Sequence, residues 1–126
     1  MQKVLVVIDM QKDFVDGALG SAQAQMIVDN VRKKIENFDG PIIFTRDTHG
    51  IDYLEHQEGK MLPVPHCVKN TEGWHIVKGL IEAAEGRPIM SPVSFIDKPN
   101  FGSFELLSRL EGMNSVNPIE SITLVG

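Results

Sequence analysis

Five consecutive apolar residues, Val4-Leu-Val-Val-Ile8, run straight into a carboxylate at Asp9. The run is rich in β-branched residues and does not alternate with polar ones, so it reads as a strand buried on both faces. That is the habit of a strand at the centre of a parallel sheet; a half-exposed strand would alternate. The fold class this implies is α/β, a parallel sheet flanked by helices on both faces. In open sheets of that kind ligands bind outside the carboxyl ends of the strands, where Asp9 stands. A carboxylate there suits a proton acceptor. The competing reading is structural: Asp9 caps the turn or ties down the next loop through Gln11 and Asp13.

The rest of the chain supports the class. Ser21 is a plausible N-cap, and residues 22–38 follow with Met26, Ile27, Val31, Ile35 and Phe38 at helical spacing. Arg32, Lys33 and Lys34 lie near the carboxyl end, where cations suit the helix dipole. Asp39-Gly40-Pro41 stops the helix, and residues 41–45 form a second strand, which completes a βαβ unit with a right-handed crossover. Residues 46–70 have no clean periodicity and carry three of the four histidines. A stretch that long in a compact domain is usually functional. Residues 74–84 read as a helix weakened by Gly79, and residues 89–96 as a third strand interrupted by Pro92. After a loop at 97–102, Ser103 caps a short helix with Leu106, Leu107 and Leu110 inward. Residues 121–125 are a fourth strand. A buried parallel strand wants a covering helix after it, so the expectation is one domain over residues 1–126 whose C-terminal part lies beyond Gly126.

Composition narrows the function classes. The 126 residues are 42% hydrophobic and 23% charged, as in a globular domain. A net charge of −5 without a Lys/Arg stripe argues against a nucleic-acid partner. The longest apolar runs are strand-sized, so neither a membrane span nor a signal-peptide core is expected. The single cysteine, Cys67, excludes an intrachain disulfide framework and makes the cytoplasm the expected compartment.

Two groups of residues could carry chemistry. Asp47 and His49 close the second strand, and His66 follows a proline-stiffened loop. Imidazole and carboxylate together suit Zn, Fe or Mn, with Glu55, His56 or Glu58 as a fourth ligand. The alternative is that Asp47 and His49 merely pair and His66 donates to a backbone carbonyl. Lys98 follows the third strand, which would place it beside Asp9 on the carboxyl edge of a neighbouring strand; otherwise it is a surface lysine. Cys67 has no base beside it in sequence and reads as a structural thiol rather than a nucleophile.

The stretches Val4-Leu-Val-Val-Ile-Asp-Met-Gln-Lys-Asp-Phe14, Asp47-Thr-His49, Gln57-Glu-Gly-Lys-Met-Leu-Pro-Val-Pro-His-Cys67, Thr71-Glu-Gly-Trp74 and Lys98-Pro-Asn-Phe-Gly-Ser-Phe104 resemble the isochorismatase-like cysteine hydrolases. Within them the resemblance is to the nicotinamidase/pyrazinamidase branch, and it runs in order over essentially the whole chain. It implies a Rossmann-like parallel sheet flanked by helices and catalysis by an Asp, a Lys and a Cys, with Asp9 and Lys98 in the first two roles. It implies a divalent cation, zinc first and iron or manganese next, at Asp47, His49 and His66. Glu58 is the fourth ligand so implied, with Glu55 and His56 as alternates, and Phe14 and Trp74 lie near the substrate ring. The family's nucleophile follows a strand ending V-G; Ile122-Thr-Leu-Val-Gly126 is that strand, so the Cys is expected beyond residue 126, and Cys67 does not replace it. The implied reaction converts nicotinamide or a similar aromatic carboxamide to the acid and ammonia through a Cys thioester. Homo-oligomers are common in the group, and the partner is a small amide rather than nucleic acid or membrane. Alternatives are an isochorismate, N-carbamoyl or ureido substrate on the same fold, or a non-catalytic binding module.

Overall fold

The computed structural model describes residues 1–87, 91–99 and 104–126. Four strands, β1 (Gln2–Ile8), β2 (Ile42–Asp47), β3 (Val93–Lys98) and β4 (Ile119–Val125), form one parallel sheet in the order β3-β2-β1-β4. β1 is internal, and Val4 to Val7 are wholly buried, which is why that run carries no polar residue. Its alternate residues serve two cores. Leu5 and Val7 pack with Ile42, Phe44, Val31, Ile35 and Leu80, whereas Val4 and Val6 pack with Ile43, Ile96, Leu106, Leu110 and Met113. Helices α2 (Ala22–Glu36) and α4 (Lys78–Glu85) therefore cover one face, and α5 (Phe104–Val116) the other. Each buried aliphatic side chain contributes about 1.5–3 kcal/mol.

The elements depart from the sequence expectations where long-range contacts intervene. Ser21 does cap α2, its Oγ accepting from Ala24 N at 3.0 Å, but the helix ends at Glu36, before Phe38. Only Val31 and Ile35 of the expected stripe are fully buried. Met26 faces solvent, and Ile27 stands over the cavity described below instead of over the sheet. The helix expected from Trp74 starts only at Lys78. The chain exiting β1 claims the intervening backbone: Gln11 bridges Ile76, Lys12 N donates to His75 O at 3.0 Å, and Val77 N donates to Met10 O at 2.9 Å. Residues 72–74 form a single 3₁₀ turn.

β2 runs on to Asp47 and β3 to Lys98, both past their expected ends, so site residues lie on the strands themselves. β3 begins after Pro92; Ile89, Met90 and the Ser103 cap lie outside the described residues. The stretch 46–70 holds a 3₁₀ turn at Tyr53–Glu55 and a short helix, α3 (Gln57–Met61). Leu106 and Leu110 of α5 face the core, and Leu107 is exposed. Among the described residues no helix is long and apolar enough to cross a membrane.

Candidate active site and cation cluster

Asp9 follows β1 with φ +50°, in the left-handed region that non-glycine residues seldom adopt and that costs of the order of 1–3 kcal/mol. Both of its carboxylate oxygens are held. Thr45 Oγ donates to Oδ1 at 2.7 Å, and Lys98 Nζ donates to Oδ2 at 2.7 Å. The expectation that Lys98 sits on a strand neighbouring β1 is corrected by the sheet order, since β2 lies between β1 and β3. Two strand spacings are about 10 Å; the long lysine spans them above the short Thr45. Lys98 is 7% exposed, so its ammonium needs the carboxylate it has found.

A second cluster stands at the end of β2. His49 Nε2 lies 3.0 Å from Asp47 Oδ2 and 3.9 Å from Glu58 Oε2, and His66 Nε2 lies 3.4 Å from Asp47 Oδ2. One ligand atom from each of the four residues lies within 4.8 Å of the other three. The opposite nitrogen of His66, Nδ1, lies 2.7 Å from Val64 O and so carries the proton. Nε2 then points at Asp47 Oδ2, a contact that needs a proton or a cation between the two atoms. Bonds of about 2.0–2.2 Å in a tetrahedral site give ligand separations of roughly 3.3–3.6 Å, a range that the contacts at 3.0, 3.4 and 3.9 Å bracket, so the donor set suits a divalent cation of the zinc type. Asp47, His49 and His66 are buried, and among the described residues no lysine or arginine pairs with Asp47 or Glu58. Of the three alternates for the fourth position the structure brings in Glu58. His56 instead pairs with Asp52 at the surface, 3.0 Å away, and Glu55 faces solvent. The pairing of Asp47 with His49 and the bond from His66 to a carbonyl are both present within the cluster, not in place of it.

A cavity of about 410 Å³ joins the two groups: Asp9 and Lys98 line it together with Asp47, Glu58, His66 and Gly126, and Phe14, Leu19, Ile27 and Leu62 supply an apolar wall. Phe14 meets the His66 ring edge-on at 5.4 Å. Trp74 is not among the residues lining this cavity. Its Nε1 donates to Thr48 Oγ at 2.9 Å, and the Arg46 guanidinium lies 4.3 Å from its ring centroid. Arg46 in turn pairs with Asp97 at 2.6 Å. Trp74 thus braces the chain leaving β2. A second cavity of about 530 Å³ opens on the outer side of the cluster, at His49, Tyr53 and Glu58, without Asp9 or Lys98. The chemistry converges on the first.

Three further residues shape the site. Gln11 is fully buried: its Oε1 accepts from Asp47 N, and its Nε2 donates to Asp47 O and Trp74 O, each at 2.8 Å. A polar residue three positions past a buried strand is the signal for it in the sequence. Thr45 holds Asp9, as above. Tyr53 packs edge-on against His49 at 4.6 Å and His66 at 5.0 Å. Burial, with Glu58 and Asp47 nearby, raises its pKa and keeps the hydroxyl protonated; it donates to Leu62 O at 2.8 Å.

Cys67 is fully buried, with φ +47°. Burial foremost, then the carboxylates of Asp47, Asp13 and Asp9, push its thiol pKa well above the ordinary range. The folded chain keeps the thiol proton that an unfolded chain loses above about pH 8.5, so this group withdraws stability as the pH rises past that point. In the native protein at pH 8 the Cys67 peptide should stay unlabelled by a thiol reagent that modifies it promptly in denaturant. Peptide mapping after timed labelling measures this, and equal rates in both states would contradict the burial.

The Isochorismatase domain model matches residues 3–126. The chain belongs to the isochorismatase-like hydrolase family, and its parallel sheet flanked by helices matches that family's solved structures. Nicotinamidase/pyrazinamidase from Bacillus subtilis superposes with a TM-score of 0.77 at 28% identity, covering 98% of this chain and 70% of that one. N-carbamoylsarcosine amidase from Thermoplasma acidophilum gives a TM-score of 0.75 at 25% identity, over 100% of this chain and 68% of that one. Pyrazinamidase of Pyrococcus horikoshii, solved in complex with zinc, gives 0.68 at 28% identity, over 98% and 69% respectively. No curated protein sequence matches the chain.

Proposed function

We propose that the protein hydrolyses the C–N bond of a small flat carboxamide, nicotinamide first, through a thioester to a cysteine that follows Gly126. The observation that carries this reading is that one cavity is lined at once by the Asp9–Lys98 pair, by Asp47, Glu58 and His66, and by Phe14. Its volume falls within the roughly 300–1,000 Å³ of small-molecule sites. Gly126, at the end of β4, lines the same cavity as Asp9.

In this reading Asp9 takes the proton of the thiol while the Lys98 ammonium keeps the carboxylate ionised and steadies the thiolate. The thiolate attacks the amide carbon. Asp9 returns the proton to the departing nitrogen, which leaves as ammonia, and then accepts a proton from the water that cleaves the thioester. Asp47, His49, His66 and Glu58 would hold a divalent cation, which supplies a Lewis-acidic anchor for a ring nitrogen. Phe14 and the apolar wall take the ring faces.

The likeness to the carbamoylsarcosine amidase favours a second reading, an N-carbamoyl substrate for which ring-nitrogen anchoring is needless. Ammonia release from nicotinamide and from N-carbamoylsarcosine, before and after chelation, decides between them in the protein carrying the sequence after Gly126. The first reading expects nicotinamide turnover that chelation abolishes and zinc restores. Turnover of the carbamoyl compound alone, indifferent to chelation, would replace it, and turnover of neither would reject both.

A further inference from the structure

Asp13 lies on the short helix α1 (Lys12–Val15), four residues past Asp9, and the mechanism above makes no use of it. Its carboxylate faces backbone. Oδ2 accepts from Cys67 N at 2.8 Å, and Oδ1 accepts from Ala18 N at 3.3 Å. Space for it is made by two glycines: a Cβ at Gly73 would lie 2.2 Å from both oxygens, and one at Gly17 would lie 2.4 Å from Oδ1. Three separate segments thus close round one carboxylate.

The N–H that Asp13 holds belongs to the peptide joining His66 to Cys67. On its other side Cys67 O accepts from His49 N at 2.9 Å, and His49 O accepts from Lys69 N at 2.8 Å. A continuous chain of bonds therefore leads from Asp13 through Cys67 to the backbone of both imidazole residues. Cys67 sits in the left-handed region, a conformation that persists only where its surroundings impose it. The opposite half of the cluster has its own clasp, since Gln11 grips both the N–H and the carbonyl of Asp47.

We infer that Asp13 is a positioning residue for the cation cluster: it holds the His66–Cys67 peptide, and through it His49, so that both Nε2 atoms meet Asp47 and Glu58. The inference rests on the reading of that cluster as a cation site. A charged carboxylate is what the position requires, because two N–H groups from different segments must both be accepted. Asp13→Asn keeps the volume but turns a donor against one of them.

The test is titration of the chelator-stripped protein with Co(II), read by its visible absorption, with Zn(II) competition and cation-free melting alongside. Asp13→Asn is expected to bind Co(II) about 10- to 100-fold more weakly, the usual scale for partners that orient ligands, with an altered absorption band. Gly73→Ala, which crowds the carboxylate without removing it, is expected to shift the same readouts and serves if Asp13→Asn does not fold. Unchanged affinity and band in the folded variants, with only the cation-free melting lowered, would make Asp13 a brace of the fold and overturn the inference. A parent protein that binds no Co(II), or binds it equally well as His66→Ala, would instead remove the cation reading itself, and the inference with it.

Discussion

Asp9→Ala should lower the melting temperature by roughly 10–20 °C, and Lys98→Met should lower it by less than half as much. The asymmetry follows from burial. Removing Asp9 strands an ammonium whose side chain is 9% exposed, whereas removing the ammonium leaves a carboxylate that is 20% exposed and still bonded to Thr45. An uncompensated buried charge costs about 3–5 kcal/mol, and a partly hydrated one less. The φ of +50° at this position adds to the cost, since alanine tolerates the left-handed region less well than aspartate. If the pair also carries the proposed chemistry, both variants should lose about 10²–10⁴-fold in amide turnover, the scale of general acid–base catalysis. Turnover then collapses in both variants while stability separates them, which a merely structural ion pair would not do. Calorimetry and an ammonia assay on the same preparations measure both. Turnover within twofold of the parent in either variant would dismiss the pair as catalytic, and equal melting shifts would dismiss the burial argument.

The cation cluster predicts effects of opposite sign in the loaded and stripped protein. Structural zinc sites supply about 10–16 kcal/mol, so losing one of four ligands should weaken zinc binding by roughly two to three orders of magnitude. Asp47→Asn and His66→Ala should both do so, and Glu58→Gln less, because Glu58 stands at the edge of the group, 3.9 Å from His49. Without a cation the same Asp47→Asn substitution should leave melting unchanged or raise it, since it relieves the approach of two carboxylates, Asp47 and Glu58, within one cluster. Competition titrations and paired melting curves separate these outcomes. A stripped Asp47→Asn protein that melts as far below its parent as the loaded one does would show that Asp47 stabilises the fold by itself.

What could be read along the chain follows a physical divide. β1 was legible because residues buried on both faces leave an uninterrupted apolar run, and the helix after it because Ser21 bonds locally to Ala24. His66 could be joined to Asp47 and His49 because prolines limit where the loop returns. Strand order was not legible: nothing near Lys98 says that β2 stands between it and β1. Nor was the setting of Trp74 legible, since it is held by Arg46 and Thr48, 26 residues or more away. Thr45 and Tyr53 escaped, and Gln11 was read only as a tie for the loop after Asp9, since each acts through a partner on a different element. Met26 kept the helical spacing of a core residue but is exposed.

Meeting across an intervening strand turns the sheet's own spacing into a gauge, against which a long cation and a short anion are matched. Whatever occupies the middle must stay low and also reach the anion, and a hydroxyl on one carbon does both. The apolar wall at Leu19, Ile27 and Leu62 therefore has more freedom to change. The crossing over Thr45 has almost none, because any taller neighbour would part the two charges without altering either.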